Sequence, residues 1–189
     1  MPRFDHFKYL APHYDTFFSE VDVMRWIQIL ELPVSGWLLD AGGGTGRITR
    51  HLASLVNGAV VCDESMAMLK QATQKPEIFP TCSTVEALAY PDESFARIIM
   101  VDAFHHLANQ SAATQELYRV LEPGGRLVIE EPDIRRIGVW GIALVEKLTL
   151  MRSHFRSAKW IGGKFKQLGA SVSQVVEDAT CWVIVEKPL

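Results

Sequence analysis

The segment Asp40-Ala41-Gly42-Gly43-Gly44-Thr45-Gly46 puts an acid directly ahead of a glycine-rich bend. Glycines where a strand hands over to a helix let the backbone turn tightly and approach a ligand with no Cβ in the way. The helix behind them offers free N–H groups and the positive end of its dipole. Spacing then decides the ligand. A dinucleotide fingerprint requires G-x-G-x-x-G; begun at Gly42 it would end on Arg47, and begun one residue earlier it would start on Ala41. The pattern that fits is D-x-G-x-G-x-G, and an acid before the glycines suits a ligand with a cationic end rather than a pyrophosphate. A second acid, Asp63, stands 21 residues after Gly42. Nucleotide-binding sheets place a ribose-binding carboxylate there, and two oxygens can accept two hydroxyl bonds. Its alternative use is to cap the next helix, a task Ser65 can also perform. His105-His106 bring an ordinary pKa suited to proton transfer near neutrality. No metal site is expected, because adjacent histidines need a third ligand nearby and Cys62, Cys82 and Cys181 form no CxxC pair.

These groups need a frame, and the chain alternates accordingly. Apolar, β-rich runs recur at Trp37–Ala41, Ala59–Asp63, Phe79–Ser83, Arg97–Val101, Arg126–Glu130, Ser173–Glu177 and Cys181–Val185. Continuous runs such as Ile98-Ile99-Met100-Val101 suit strands buried on both faces. Between them Arg47–Val56, Ser65–Gln74 and Ser111–Leu121 read as helices, the last stopped and turned by Glu122-Pro123-Gly124-Gly125. The alternation predicts a doubly wound α/β sheet with right-handed crossovers. The last two strands, so close in sequence, should form an antiparallel hairpin.

Composition narrows the class. The 189 residues fit one domain, and 19 basic against 22 acidic side chains leave a net charge of −3, which argues against nucleic acid as the partner. A hydrophobic share of 48% supports a proper core. Three scattered cysteines argue against a disulfide scaffold. The longest uncharged apolar run, Ile137 to Val145, has nine residues, against about 18 for a membrane span. The polar N-terminus is unlike a signal peptide. A cytoplasmic protein is the expectation.

The glycine bend resembles motif I of the class I S-adenosylmethionine (SAM) dependent methyltransferases. The likeness is broader than that motif. Residues 37–133 are similar to the methyltransferase domain of the ubiquinone/menaquinone biosynthesis group, through LLDAGGGTGRIT, CDESMAMLKQA, EALAYPDESFARIIMVDAFHHL and LYRVLEPGGRLVIEEPD. The resemblance implies a seven-stranded, mostly parallel sheet of order 3-2-1-4-5-7-6, with the last strand antiparallel and helices on both faces. It implies SAM as cofactor and S-adenosylhomocysteine as product. Asp40, Gly42, Gly44 and Gly46 would serve the methionine end; Asp63 the ribose; Glu64, Met68, Thr84, Val85 and Glu86 the adenine; Asp102 and Ala103 the methionyl group and sulfonium. Tyr14-Asp15 resembles the family's N-terminal segment that folds over the cofactor, so residues 1–35 would be a helical cap and 36–189 the methyltransferase domain. An amphipathic helix packing Tyr14, Phe17 and Phe18 is the other reading. Two departures stand out: Thr84 replaces a frequent acid, and Ser94-Phe95-Ala96 replaces S-F-D.

Methyl transfer from a sulfonium needs alignment and exclusion of water more than acid–base chemistry. A base is required only where the acceptor must lose a proton, and His105 and His106, after the fourth strand, are the candidates. A helical lid is expected over about residues 135–165, with Trp140, Leu144, Leu148, Met151 and Phe155 favouring a small hydrophobic or aromatic acceptor. A core or homodimer face explains the same residues. Arg152, Arg156 and Lys159 suit either an anionic acceptor or a solvated surface. The competing functions are a nicotinamide oxidoreductase, disfavoured by the glycine spacing, and a non-catalytic SAM-binding regulatory or partner protein.

Overall fold

Where an apolar run is uninterrupted, both faces of the strand must be covered, and Ile98, Ile99 and Met100 are all fully buried. The computed structural model describes Ala11 and residues 14–17, 21–133, 154–177 and 180–189. The chain runs α1 (Tyr14–Phe17), α2 (Val23–Leu30), β1 (Trp37–Ala41), α3 (Thr49–Leu52), β2 (Gly58–Asp63), α4 (Met66–Ala72), β3 (Ile78–Cys82), β4 (Phe95–Val101), α5 (Gln110–Val120), β5 (Leu121–Pro132), α6 (Ala158–Gln167), β6 (Ser171–Glu177) and β7 (Thr180–Glu186). These seven strands form one sheet of order β3-β2-β1-β4-β5-β7-β6, as expected. The first five pair in parallel. β7 runs antiparallel to both β5 and β6.

Strand periodicity sorts the core into two layers. Leu39, Ile98, Met100, Leu127 and Ile129 meet Phe104, Leu117 and Phe165 on one face. Leu38, Ile99 and Val128 meet Trp26, Leu30, Leu52 and Trp182 on the other. α2 therefore belongs to the layer that covers the sheet. Its Asp22 caps it by accepting from the Arg25 N–H at 2.9 Å, and Glu31 closes it in a left-handed conformation.

Three boundaries differ from the sequence reading. The helix after the glycine bend begins only at Thr49 and passes into a 3-10 turn at Ala53–Leu55, because the bend extends past Gly46, whose N–H closes a turn on the Gly43 carbonyl. β5 starts at Leu121, already paired with Phe95, so the Glu122–Gly125 stretch expected as a turn is part of an irregular strand. The expected lid falls largely on residues 134–153, with Trp140, Leu144, Leu148, Met151 and Arg152, which lie outside the described residues. Within its described part, 154–157 are not helical. α6 begins only where Ser157 accepts from the Trp160 N–H, then runs to Gln167 and buries Ile161 and Phe165.

Asp40 is a buried carboxyl in the middle of this frame. It accepts from the Thr49 hydroxyl at 2.5 Å, and burial pushes its pKa from 3.8 to about 7, with the Thr49 bond opposing and the Asp63 charge adding to the rise. Between those two values the folded chain holds a proton that the unfolded chain releases, so stability falls as pH rises through this window. Asp40→Asn keeps an acceptor for Thr49 and removes the titration. The cofactor-free variant should lose less of its thermal midpoint than the wild type between pH 5 and pH 7.5, measured by calorimetry. Phe104, fully buried, anchors the turn after β4, and Phe104→Ala should cost about 3–5 kcal/mol in urea unfolding.

Candidate active site

Parallel register sets the carboxyl ends of β2, β1, β4 and β5 side by side: Ala41 pairs with Cys62, Asp40 with Ile99, and Val101 with Glu130. The strand order reverses between β1 and β4, the crevice where doubly wound sheets bind ligands. The glycine bend fills that position. Gly42 and Gly44 have φ of 73° and 55°, left-handed values that a side chain resists. A Cβ on Gly42 would lie 2.7 Å from the Ala103 Cβ, so the bend after β1 and the loop after β4 touch there. At Gly44 the nearest atoms to a Cβ would be Asp63 Oδ2 and Met68 Sδ, both 3.9 Å away, ordinary contact distance, so it is the left-handed φ rather than crowding that calls for glycine there.

Asp63 fastens this arrangement. Its Oδ2 accepts from the Gly44 N–H at 2.9 Å and its Oδ1 from the Ser65 N–H at 2.7 Å. A carboxylate has about four acceptor positions, so these two bonds orient the group without using its whole capacity. Ser65, not Asp63, caps α4, accepting from the Met68 N–H. Asp40 lies beneath the bend: a Cβ on Gly43 would fall 2.3 Å from its Cγ. It acts on the bend from below. Glu64 is exposed, and Met68 is buried against Gly44. Thr84 is half-buried at the start of a 3-10 turn, while the Val85 side chain packs into the core. Asp102 adopts φ of 50° and donates its N–H to the Glu130 carbonyl. The Glu130 carboxyl is pushed up to about 7 by burial and by Asp102, against the pull of Arg47.

At the N-terminal side, α1 lies against the bend through Asp15, whose Oδ1 accepts from the Thr45 hydroxyl at 2.5 Å. The side chain of Tyr14 lies outside the described residues.

The structure separates the two histidines. His105 is buried, with Nδ1 2.6 Å from Glu131 Oε2 and its ring stacked on Phe155 at 4.4 Å. His106 is half-buried beside it, ring centroids 4.0 Å apart. Glu131 also accepts from the Phe104 N–H at 2.8 Å. Sequence reasoning missed Glu131. The available signal was parity, since Leu127, Ile129 and Glu131 alternate onto the Phe104 face, where a carboxylate requires a partner. Glu86, which the resemblance sets with Thr84 and Val85 at the adenine edge, accepts from the Ala108 and Asn109 N–H groups and so joins the loop after β3 to the start of α5. Phe155 reaches the site, and Arg156 donates to Gln110 while lying over Trp160. Among the described residues no three His, Cys, Asp or Glu side chains converge as a metal site, and no helix is long and apolar enough to cross a membrane.

Comparison with known proteins agrees with this geometry. Residues 39–129 match the family model described as a methyltransferase domain, Methyltransf_11. A ubiquinone/menaquinone biosynthesis C-methyltransferase of Hydrogenovibrio crunogenus is 35% identical over 104 residues, covering 50% of this chain and 41% of that protein. A demethylmenaquinone methyltransferase of Paenarthrobacter aurescens is 30% identical over 139 residues, covering 69% and 55%. The chain thus spans about half the length of these relatives. In fold it is similar to a solved structure of a SAM-dependent methyltransferase described as putative, from Methanococcus maripaludis. That match has a TM-score of 0.77 and 16% identity, covering 100% of this chain and 97% of that one. The acid-led glycine bend at the switch point, the Asp63 tie and the sheet order all lie within this likeness. Residues 39–129 thus carry a methyltransferase domain of the Methyltransf_11 family, set in a seven-stranded sheet of order β3-β2-β1-β4-β5-β7-β6.

Proposed function

We propose that this chain transfers a methyl group from SAM to a small hydrophobic or aromatic acceptor. The observation that carries the reading is the Asp63 carboxylate bonded to the Gly44 N–H of a left-handed glycine bend, at the crevice between β1 and β4. The residues fit the cofactor. Asp63 would take the ribose hydroxyls, Met68 and the main chain at Thr84–Val85 the adenine, and the bend from Gly42 to Gly46, with Asp102 and Ala103, the methionine end. When bound, SAM supplies a methyl group on an already activated sulfonium.

The chain's own work is then alignment, shielding and, where the acceptor carries an acidic proton, its removal. Glu131 facing Nδ1 of His105 assigns the ring proton to that nitrogen and makes Nε2 the basic one. His105 is the base in this reading, Glu131 its positioning residue, and His106 packs against it. Phe155 stacked on His105 puts an aromatic wall at the acceptor side, which favours a flat, apolar acceptor with an ionisable group. The names of the two relatives above point the same way, towards quinone biosynthesis. Cys62, Cys82 and Cys181, none of them in a disulfide, suit a reducing compartment such as the cytoplasm.

Four measurements test the proposal. Titration calorimetry should give heat with SAM and none with NAD; the reverse ends it. Methyl incorporation from labelled SAM should appear on at least one member of a panel of phenols and quinols, whereas binding without transfer would favour a regulatory protein. Asp63→Asn should weaken SAM by about 10- to 100-fold, the loss expected for bonds to a charged group. With the acceptor found, Glu131→Gln should slow transfer by about 100-fold while leaving SAM affinity unchanged.

A further inference from the structure

Lys75 is enclosed yet belongs to neither the glycine bend nor the histidine turn. It follows α4, and its side chain is only 12% exposed, unusual for an ammonium unless paired. Its Nζ donates to Asp15 Oδ2 at 2.7 Å and to the Thr45 carbonyl at 2.5 Å. The other oxygen of Asp15 accepts from the Thr45 hydroxyl. Lys75, Asp15 and Thr45 therefore close a ring of three bonds that joins α1, the glycine bend and the turn after α4. Thr45 is almost fully buried between Gly44 and Gly46, so the ring grips the bend at its middle. Arg50 adds a second cation, 4.0 Å from Asp15. Burial alone would push the Asp15 carboxyl up, but bonds from Lys75 and Thr45, with the charges of Lys75 and Arg50, outweigh it and hold the group ionised.

We propose that Lys75 is a positioning residue that latches α1 to the glycine bend and thereby sets how long the cofactor stays bound. The inference rests on the reading that SAM occupies this bend. α1 cannot leave the bend without breaking both bonds of Asp15. Lys75 is the partner that comes from outside both pieces, so it ties them to the α4 side of the sheet. Its Nζ also fixes the Thr45 carbonyl, which orients the peptide between two left-handed glycines. Removing the ammonium leaves Asp15 without its closest counter-charge and Thr45 with one bond fewer, which frees the bend and α1 together.

The test needs no acceptor. Labelled SAM is bound to the full chain and chased with excess unlabelled SAM, and the dissociation rate is read for wild type, Lys75→Met, Lys75→Arg, Asp15→Asn and the Lys75→Met/Asp15→Asn pair. Lys75→Met should speed dissociation by about tenfold or more, the scale of a lost charge-assisted bond, and Lys75→Arg should restore most of the retention. The double variant should release SAM no faster than the faster single variant, because both remove one latch. A wild-type dissociation rate in Lys75→Met, or single effects that multiply in the double variant, overturns the latch. Should Lys75→Met fail to fold, Asp15→Asn carries the test, since it leaves Lys75 bonded to the Thr45 carbonyl; unchanged retention there overturns the proposal equally. A wild-type chain that binds no SAM overturns the functional reading itself, a result distinct from a latch that does nothing.

Discussion

One carboxylate decides the geometry on which the rest depends. Asp63 ends β2, yet its two oxygens are committed to main-chain N–H groups on either side: Gly44 in the bend after β1 and Ser65 at the start of α4. A bond from a main-chain N–H to an ionised acceptor is short and about twice as strong as a neutral one. The end of one strand, the bend of its neighbour and the next helix thus move as a unit. The left-handed glycines make the bend sterically allowed; Asp63 makes it the bend that is adopted.

The same device recurs along the carboxyl edge of the sheet. Glu131 at the end of β5 takes the Phe104 N–H from the loop after β4, and Glu86 after β3 takes the Ala108 and Asn109 N–H groups. Loops that follow strands present N–H groups with no ladder partner, and each must find one. Here acids on a neighbouring element supply it. The loops that form the crevice are laced to one another as well as to their own strands, and this holds a site on loops to the precision of the sheet beneath. Asp15 and Lys75 extend the lacing to α1.

Legibility in the sequence followed the range of the forces involved. β1 begins and ends where its apolar run does, and the doubly wound class was readable because a strand buried on both faces shows it in its own composition; the sheet order was implied by the family resemblance instead. Where a boundary depends on a distant partner, the reading slipped. The start of β5 is set by Leu121 meeting Phe95 on another strand, and nothing in Glu122-Pro123-Gly124-Gly125 says so. Asp63 was legible by its distance from Gly42, but its bonds to Gly44 and Ser65 were not, because they appear only when β1 and β2 lie side by side. Glu131 received no role from the sequence. Its bond to His105 spans 26 residues and required the turn after β4 to fold back on β5. Lys75, in a polar stretch with no periodicity, offered no local signal at all.

The lacing also bears on which ligand the bend can hold. A glycine loop that cradles a pyrophosphate does so by aiming its N–H groups at the phosphate oxygens. In this bend those donors are spent within the protein: Gly42 and Gly43 donate to the Cys62 carbonyl, Gly44 to Asp63, and Gly46 to the Gly43 carbonyl. The surrounding charge has the same sense. Asp40, Asp63, Asp102 and Glu130 gather at the strand ends, and burial with mutual repulsion raises both Asp40 and Glu130 to about 7. Two phosphates brought here would meet carboxylates and few donors. A ligand with an ammonium and a sulfonium relieves that repulsion, since positive charge beside a raised carboxyl favours its ionised form. In charge as well as shape, the bend suits a ligand with a cationic end.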